Sequence, residues 1–176
     1  MYPKAYIDYL VYFHGQRDYF ECHEVLEEHW KREEPENRNK HWVGLIQLAV
    51  ALYHQRRQNW RGAERMMRSA LHLLRNEKDG IVKLSLDFNN LVFLLENRLN
   101  EIKEKTPYTS LTLPVTDPGL IDKCKEVCEE KGCQWNVDSN MKDEYLLHKH
   151  RMRDRSDILN ERFRQKELRQ QKRKGT

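Results

Sequence analysis

The sequence predicts an all-α protein, an antiparallel bundle of about five helices with an extended linker and a charged C-terminal helical extension. Three observations carry this. Apolar residues recur at helical spacing through residues 1–105. Cap-forming Asp and Asn residues stand just before four of the five apolar stripes. A cluster of prolines then breaks the pattern after residue 106.

The elements follow in order. Tyr6, Tyr9, Leu10 and Phe13 mark a first helix, with Pro3 near its start and Gly15 past its end. Asp18 and Glu21 form a capping-box-like pair opening a second helix at about 19–33, which Pro35 breaks. Asn39 is placed to cap a third helix striped with Trp42, Leu45, Ile46, Ala49, Leu52 and Tyr53. Asn59 caps a fourth, with Ala63, Met66, Met67, Ala70, Leu73 and Leu74 on one side, ending at Gly80. A short apolar connector leads to Asp87, the cap of a fifth helix whose stripe runs from Phe88 to Ile102 and stops before Pro107. Short connections favour antiparallel packing of these five.

The chain divides into a helical bundle over 1–105, an extended linker over 106–118, and a C-terminal helical extension over 119–176. The linker alternates and contains three prolines, so it reads as irregular chain laid over the bundle. Asp117 and Pro118 start a short helix ending near Gly132, and from about residue 142 a charged helix is expected.

Composition narrows the function classes. Charged residues make up 34% of the 176 and hydrophobic residues 38%. No run of eighteen apolar residues exists to span a membrane, and the N-terminus lacks the features of a signal peptide, so a cytoplasmic protein with reduced cysteines is expected. Net charge is +4, unevenly placed: residues 148–176 hold 11 Lys and Arg against 4 Asp and Glu. The basic character belongs to the tail, where residues 148–174 offer a surface for nucleic acid or an acidic protein partner. Acidic residues interrupt that face, and it carries no aromatic stacking platform, so a solvated helix with a weak docking stripe (Met152, Ile158, Leu159, Phe163, Leu168) stands beside the binding reading.

The chemistry concentrates in "YFECHEVLEEHW", residues 19–30. On a wheel of about 100° per residue, His23 falls about 40° from Tyr19, on the apolar stripe between Leu26 and Glu27. Glu27 lies one turn below His23 and Glu24 flanks it. A buried imidazole needs a partner, which Glu27 can supply; that is the structural reading. The functional reading is a site, either a ligand pocket or a proton-transfer dyad. His23, Glu24, Glu27, Trp30 and Gln47 are therefore the candidate ligand-binding residues. "HEVLE" is not H-E-x-x-H, and His41, His54 and His72 belong to no E-x-x-H pair, so no metal centre and no cofactor is assigned. Cys124, Cys128 and Cys133 fit neither zinc-ribbon nor iron–sulfur spacing and read as packing residues.

The combination Tyr19-Phe20-Glu21-x-His23-Glu24-x-Leu26-Glu27-x-x-Trp30, then Gly44-Leu45-Ile46-Gln47-x-Ala49, then Asn59-x-x-Gly62-Ala63, resembles the family called domain of unknown function 309 over roughly residues 8–100. The linker and "HKHRMRDRSD" resemble its longer bacterial members. The resemblance implies an all-helical fold and brings no catalytic residue, cofactor or substrate with it. Three functions stay open: a protein binding a small polar ligand or partner at the His/Glu cluster, an enzyme using the His23/Glu27 pair for acid–base or metal-assisted chemistry, and a scaffold acting through its basic tail.

Overall fold

The computed structural model describes residues 1–152 and 156–174, with the side chains of 156–160 and 172–174 outside the description. It is all-α, with no strand among the described residues. The helices are α1 (Lys4–Val11), α2 (Tyr19–Arg32), α3 (Lys40–Arg56), α4 (Trp60–Arg75), α5 (Lys78–Lys83), α6 (Phe88–Lys103), α7 (Pro118–Glu130), α8 (Glu144–Leu147), α9 (Lys149–Met152) and α10 (Ser156–Lys174). Among the described residues no helix is long and apolar enough to cross a membrane.

The caps do what their positions predict. Asp18 accepts from the Glu21 amide, Asn59 from Gly62 and Asp87 from Asn90, each at about 3 Å. Asn39 is the exception: its amide donates to the Asn37 carbonyl and caps nothing. The first helix ends in a π-helical turn, Tyr12–Gln16, which takes in Gly15 rather than stopping before it. Gly80 also differs from expectation. Helix α4 stops earlier, at Arg75, and Gly80 sits inside the short α5, where a Cβ would lie 2.4 Å from His41 Nδ1. Glycine there permits close approach of α5 to α3.

Helix α3 is the hub, packed between α2 and α4, with α6 against α4 and α1 against both α2 and α7. The core runs through Tyr6, Tyr9, Phe13, Tyr19, Leu45, Leu48, Leu52, Met67, Leu74, Leu91 and Leu95. Cys124 and Cys128 are buried free thiols whose pKa values burial pushes up to about 12, in keeping with packing.

Residues 106–118 are held on the bundle by buried basic side chains. Leu111 and Leu113 are buried, and one antiparallel bridge joins Val115 to Leu86. Arg17, in a left-handed backbone conformation at φ 52°, donates to the carbonyls of Leu111 and Val137. Arg98 donates to Thr109 O at 2.7 Å, and His14 Nε2 accepts from the Leu113 amide at 3.0 Å.

The expected single helix from residue 142 is instead α8 and α9, broken at His148, and then α10; its passage through residues 153–155 lies outside the described residues. Lys149 is nearly buried between Asp18 at 2.7 Å and Glu21 at 2.9 Å. In α10, residues 161–171 are exposed, Phe163 and Leu168 included, so those two do not pack on the bundle; Ile158 and Leu159 lie outside the described side chains.

Two outcomes follow. A chain ending at Met152 should keep the parent's denaturant midpoint, whereas one ending at Leu147 should lose about 1–2 kcal/mol with the Lys149 pairs; equal midpoints would show that Lys149 adds nothing. His14 is fully buried, and its pKa falls from 6.5 to about 3 because burial disfavours the imidazolium, while Nδ1–H donates to Leu10 O. Its folded pKa is depressed, so its contribution is complete above about pH 6.5. It is lost as pH falls from there toward about 3, at up to about 1.4 kcal/mol per pH unit. His14→Gln should flatten the slope of unfolding free energy between pH 6 and about 4, measured by urea titration.

Candidate functional site

Helix α2 buries Tyr19, Cys22 and Leu26, which centres its inner face about 30° to the far side of Tyr19 from His23. His23 therefore stands about 70° off that centre, on the shoulder of the helix, and its side chain is 31% exposed. The expectation that it sits within the core stripe is corrected: Cys22, small and polarisable, shares the buried face and turns it away from His23.

The structure does bring His23, Glu24 and Glu27 together. His23 Nδ1 lies 3.1 Å from Glu24 Oε1, and Nε2 lies 3.8 Å from Glu27 Oε2. Lys31 pairs with the other Glu27 oxygen at 3.0 Å. One nitrogen and two carboxylate oxygens fall within 4.8 Å of one another, a set able to close on one divalent cation. Trp30 and Gln47 do not join them. Trp30 is half-buried beneath the Arg38 guanidinium, 4.9 Å from the ring centroid, and its indole N–H has no acceptor. Gln47 sits half-buried on α3 with its side-chain carbonyl unpartnered.

His23 lines one of two neighbouring hollows of opposite character and contacts Glu24 and Glu27, which line the other. One, of about 520 Å³, is lined by Asp8, Glu21, Glu24, Glu27 and Glu28, with Lys31 and Arg32. The other, a cleft of about 390 Å³, has Phe20, Val50 and Tyr53 as its apolar floor. Its polar lining is His23, His54, Arg57, Asn59, His150 and Arg151, with Tyr19 at the back. Three separate stretches build it: α2, the α3–α4 corner, and α9.

Local bonds fix the cleft's side chains. The Tyr53 hydroxyl accepts from the His150 amide at 3.2 Å and donates to His150 Nδ1 at 2.5 Å. Phe20 meets Tyr53 edge to face, and the Arg57 guanidinium lies over the Tyr53 ring at 5.2 Å. Asn59 Oδ1 accepts from the Gly62 amide, which turns its NH₂ toward His54 Nδ1 at 3.1 Å and leaves the imidazole proton on Nε2. Burial, then Arg57 and Arg65, holds the His54 pKa below 6.5, so the ring is neutral at pH 7. Gly62 has no room for a side chain, since a Cβ would lie 2.7 Å from Asn59 Nδ2 and 3.1 Å from His54 Cδ2.

Sequence reasoning nominated His23 but missed Arg57, His150 and Arg151 as members, and met His54 only as a metal candidate. The one local signal was the polar run His54–Asn59 at a helix corner. Nothing in periodicity brings α9 back to α3, because Tyr53 and His150 are 97 residues apart.

Because the cluster is half exposed, its members should contribute little to stability. Glu27→Gln and His23→Leu are each expected to move the unfolding free energy by less than about 1 kcal/mol in urea titrations. A loss above about 2 kcal/mol in both would make the pair a structural staple.

No solved structure matches this chain. The model for the family described as domain of unknown function (DUF309) matches residues 6–66, which contain α2, α3 and the start of α4. The chain is also similar to the uncharacterized protein YpuF of Bacillus subtilis (strain 168), 46% identical over 173 residues that cover 98% of this chain and 99% of the relative. Likeness to that relative along almost the whole length, with the family's signature across its site-forming helices, places the sequence: the chain belongs to the DUF309 family.

Proposed function

We propose that the protein binds a small polar ligand in the cleft beside His23, and that it does so in the cytoplasm. The observation that carries this reading is the cleft itself. It combines an apolar floor with convergent polar groups from three separate stretches of chain, the composition of small-molecule sites. Its volume falls at the small end of such sites. Its side chains are held in place by the Tyr53–His150, His54–Asn59 and Arg57–Tyr53 contacts, so little ordering is left to oppose binding.

Two observations support secondary readings. The contacts of His23 with both Glu24 and Glu27 suit proton transfer at the rim of the cleft, which is the acid–base reading. The exposure of residues 161–171 leaves the basic tail accessible to nucleic acid or an acidic protein.

The test blocks the cleft. Val50→Trp places an indole over the floor from a half-buried position and should leave the helical circular dichroism unchanged. Native mass spectrometry of protein purified under mild conditions, with a thermal-shift panel of small metabolites, should then show a ligand on the parent and none on the variant. Parent and folded variant responding alike to every compound would sink the cleft as a binding site.

A further inference from the structure

We propose that the ligand of this cleft is a small organic anion, a phosphate or carboxylate borne on a planar apolar group, gripped by Arg57 and Arg151. This rests on the cleft being a ligand site and names the class it takes.

The charge arrangement points to an anion. Two guanidinium groups, three imidazoles and an amide line the cleft, and no carboxylate does among the described residues. The nearby acids are turned elsewhere. Glu24 and Glu27 line the hollow beyond His23, with Glu27 paired to Lys31, and Asp18 and Glu21 are both held by Lys149. Glu24 and Glu27 reach only the His23 ring, and no carboxylate among the described residues pairs with Arg57 or Arg151, so the field of these two guanidinium groups acts in the cleft at close range.

Arg57 supplies an independent observation. Its Nε–H is buried and has no acceptor, although the guanidinium is fixed over Tyr53. Leaving such a donor unmatched is unfavourable, and an arriving oxyanion can satisfy it while the planar fork engages a second oxygen. Helix α4 adds to this. It starts at Asn59 on the cleft wall, and over sixteen residues its dipole presents the positive end there. His54 is neutral with its proton on Nε2, a donor that adds no charge of its own.

The apolar floor determines the rest of the ligand. Phe20, Val50 and Tyr53 offer hydrocarbon and ring faces below the guanidinium groups. Bare phosphate would leave that surface wet, whereas an aromatic ring carrying the anion would cover it. With about 390 Å³ available, one ring with its acid group fits the space, and a dinucleotide would exceed it.

The full chain is titrated with phenyl phosphate, benzoate and benzylamine at low ionic strength, followed by NMR shifts and melting temperature. Phenyl phosphate should bind saturably, more weakly as salt rises. Benzoate should bind less tightly, since two guanidinium groups favour the dianion; benzoate binding more tightly would assign the carboxylate as the natural group within the same class. Benzylamine should not bind. Arg57→Gln should weaken phenyl phosphate by roughly tenfold or more. Arg151→Gln, at an exposed position the fold does not use, should weaken it in the same direction should Arg57→Gln fail to fold. Either folded variant binding like the parent overturns the assignment of its arginine. Saturable binding of neither anion up to about 10 mM overturns the anion class. Benzylamine binding that Val50→Trp abolishes also overturns the anion class, while leaving the cleft standing as a ligand site.

Discussion

A helical protein with a long irregular segment packed on it must satisfy the backbone groups of that segment without a sheet to do so. Arg17, with Arg98 and His14, meets that constraint here, and Arg56 locks Arg17 in place. Arg17 is buried in a left-handed conformation and donates to carbonyls at Leu111 and Val137, with a further bond to Asn136 Oδ1 at 3.2 Å. Arg56 donates back to the Arg17 carbonyl at 2.7 Å and to Ser139 at 3.1 Å. Its guanidinium lies 4.7 Å from the ring centroid of Tyr19, so an aromatic face serves it in part where oxygen acceptors are lacking. Two cations buried together without a carboxylate between them would ordinarily be costly. Carbonyl dipoles, amide oxygen and π faces share the compensation, and the α1–α2 corner, the α3 end and residues 106–140 are thereby tied to one point.

That tie reaches the cleft. Once residues 111–139 are fixed over the α2 N-terminus, the chain re-enters near Asp18, and Lys149 closes onto Asp18 and Glu21. His150 and Arg151, the next two residues, are then delivered to Tyr53. Asp18 holds two tasks, capping α2 through the Glu21 amide and anchoring Lys149. The α2 start and the far end of the chain thus meet at one carboxylate, which accounts for a site assembled from residues 97 apart.

How far this was readable follows from the range of each interaction. The helices and the caps at Asp18, Asn59 and Asp87 are local events within one turn, and local pattern predicts them. The π-turn at Tyr12–Gln16 and the placement of Gly80 inside α5 depend on neighbours in space, Cys128 and Cys133 in one case and His41 in the other, so they were invisible. His23 was legible as an unusual residue but was placed too deep. A wheel built from Tyr19 and Leu26 ignores that Cys22 is buried as fully as either. Arg57 had only the polar run around it as a signal and Arg151 had none, because an exposed-looking arginine on a polar helix edge reads the same whether it faces solvent or a cleft.

The position of His23 between the two hollows explains why a single cluster in the sequence becomes two environments in space. Its ring touches Glu24 and Glu27 in the acidic hollow, yet the same side chain lines a cleft that holds guanidinium groups and, among the described residues, no acid. On the helix wheel Glu27, Phe20 and Glu24 stand about 40°, 60° and 100° to one side of His23, and Phe20, one turn before it, faces Tyr53. The acidic hollow and the basic cleft thus meet along one turn of α2, at His23. On the proposed reading His23 acts from that boundary position, and not through burial.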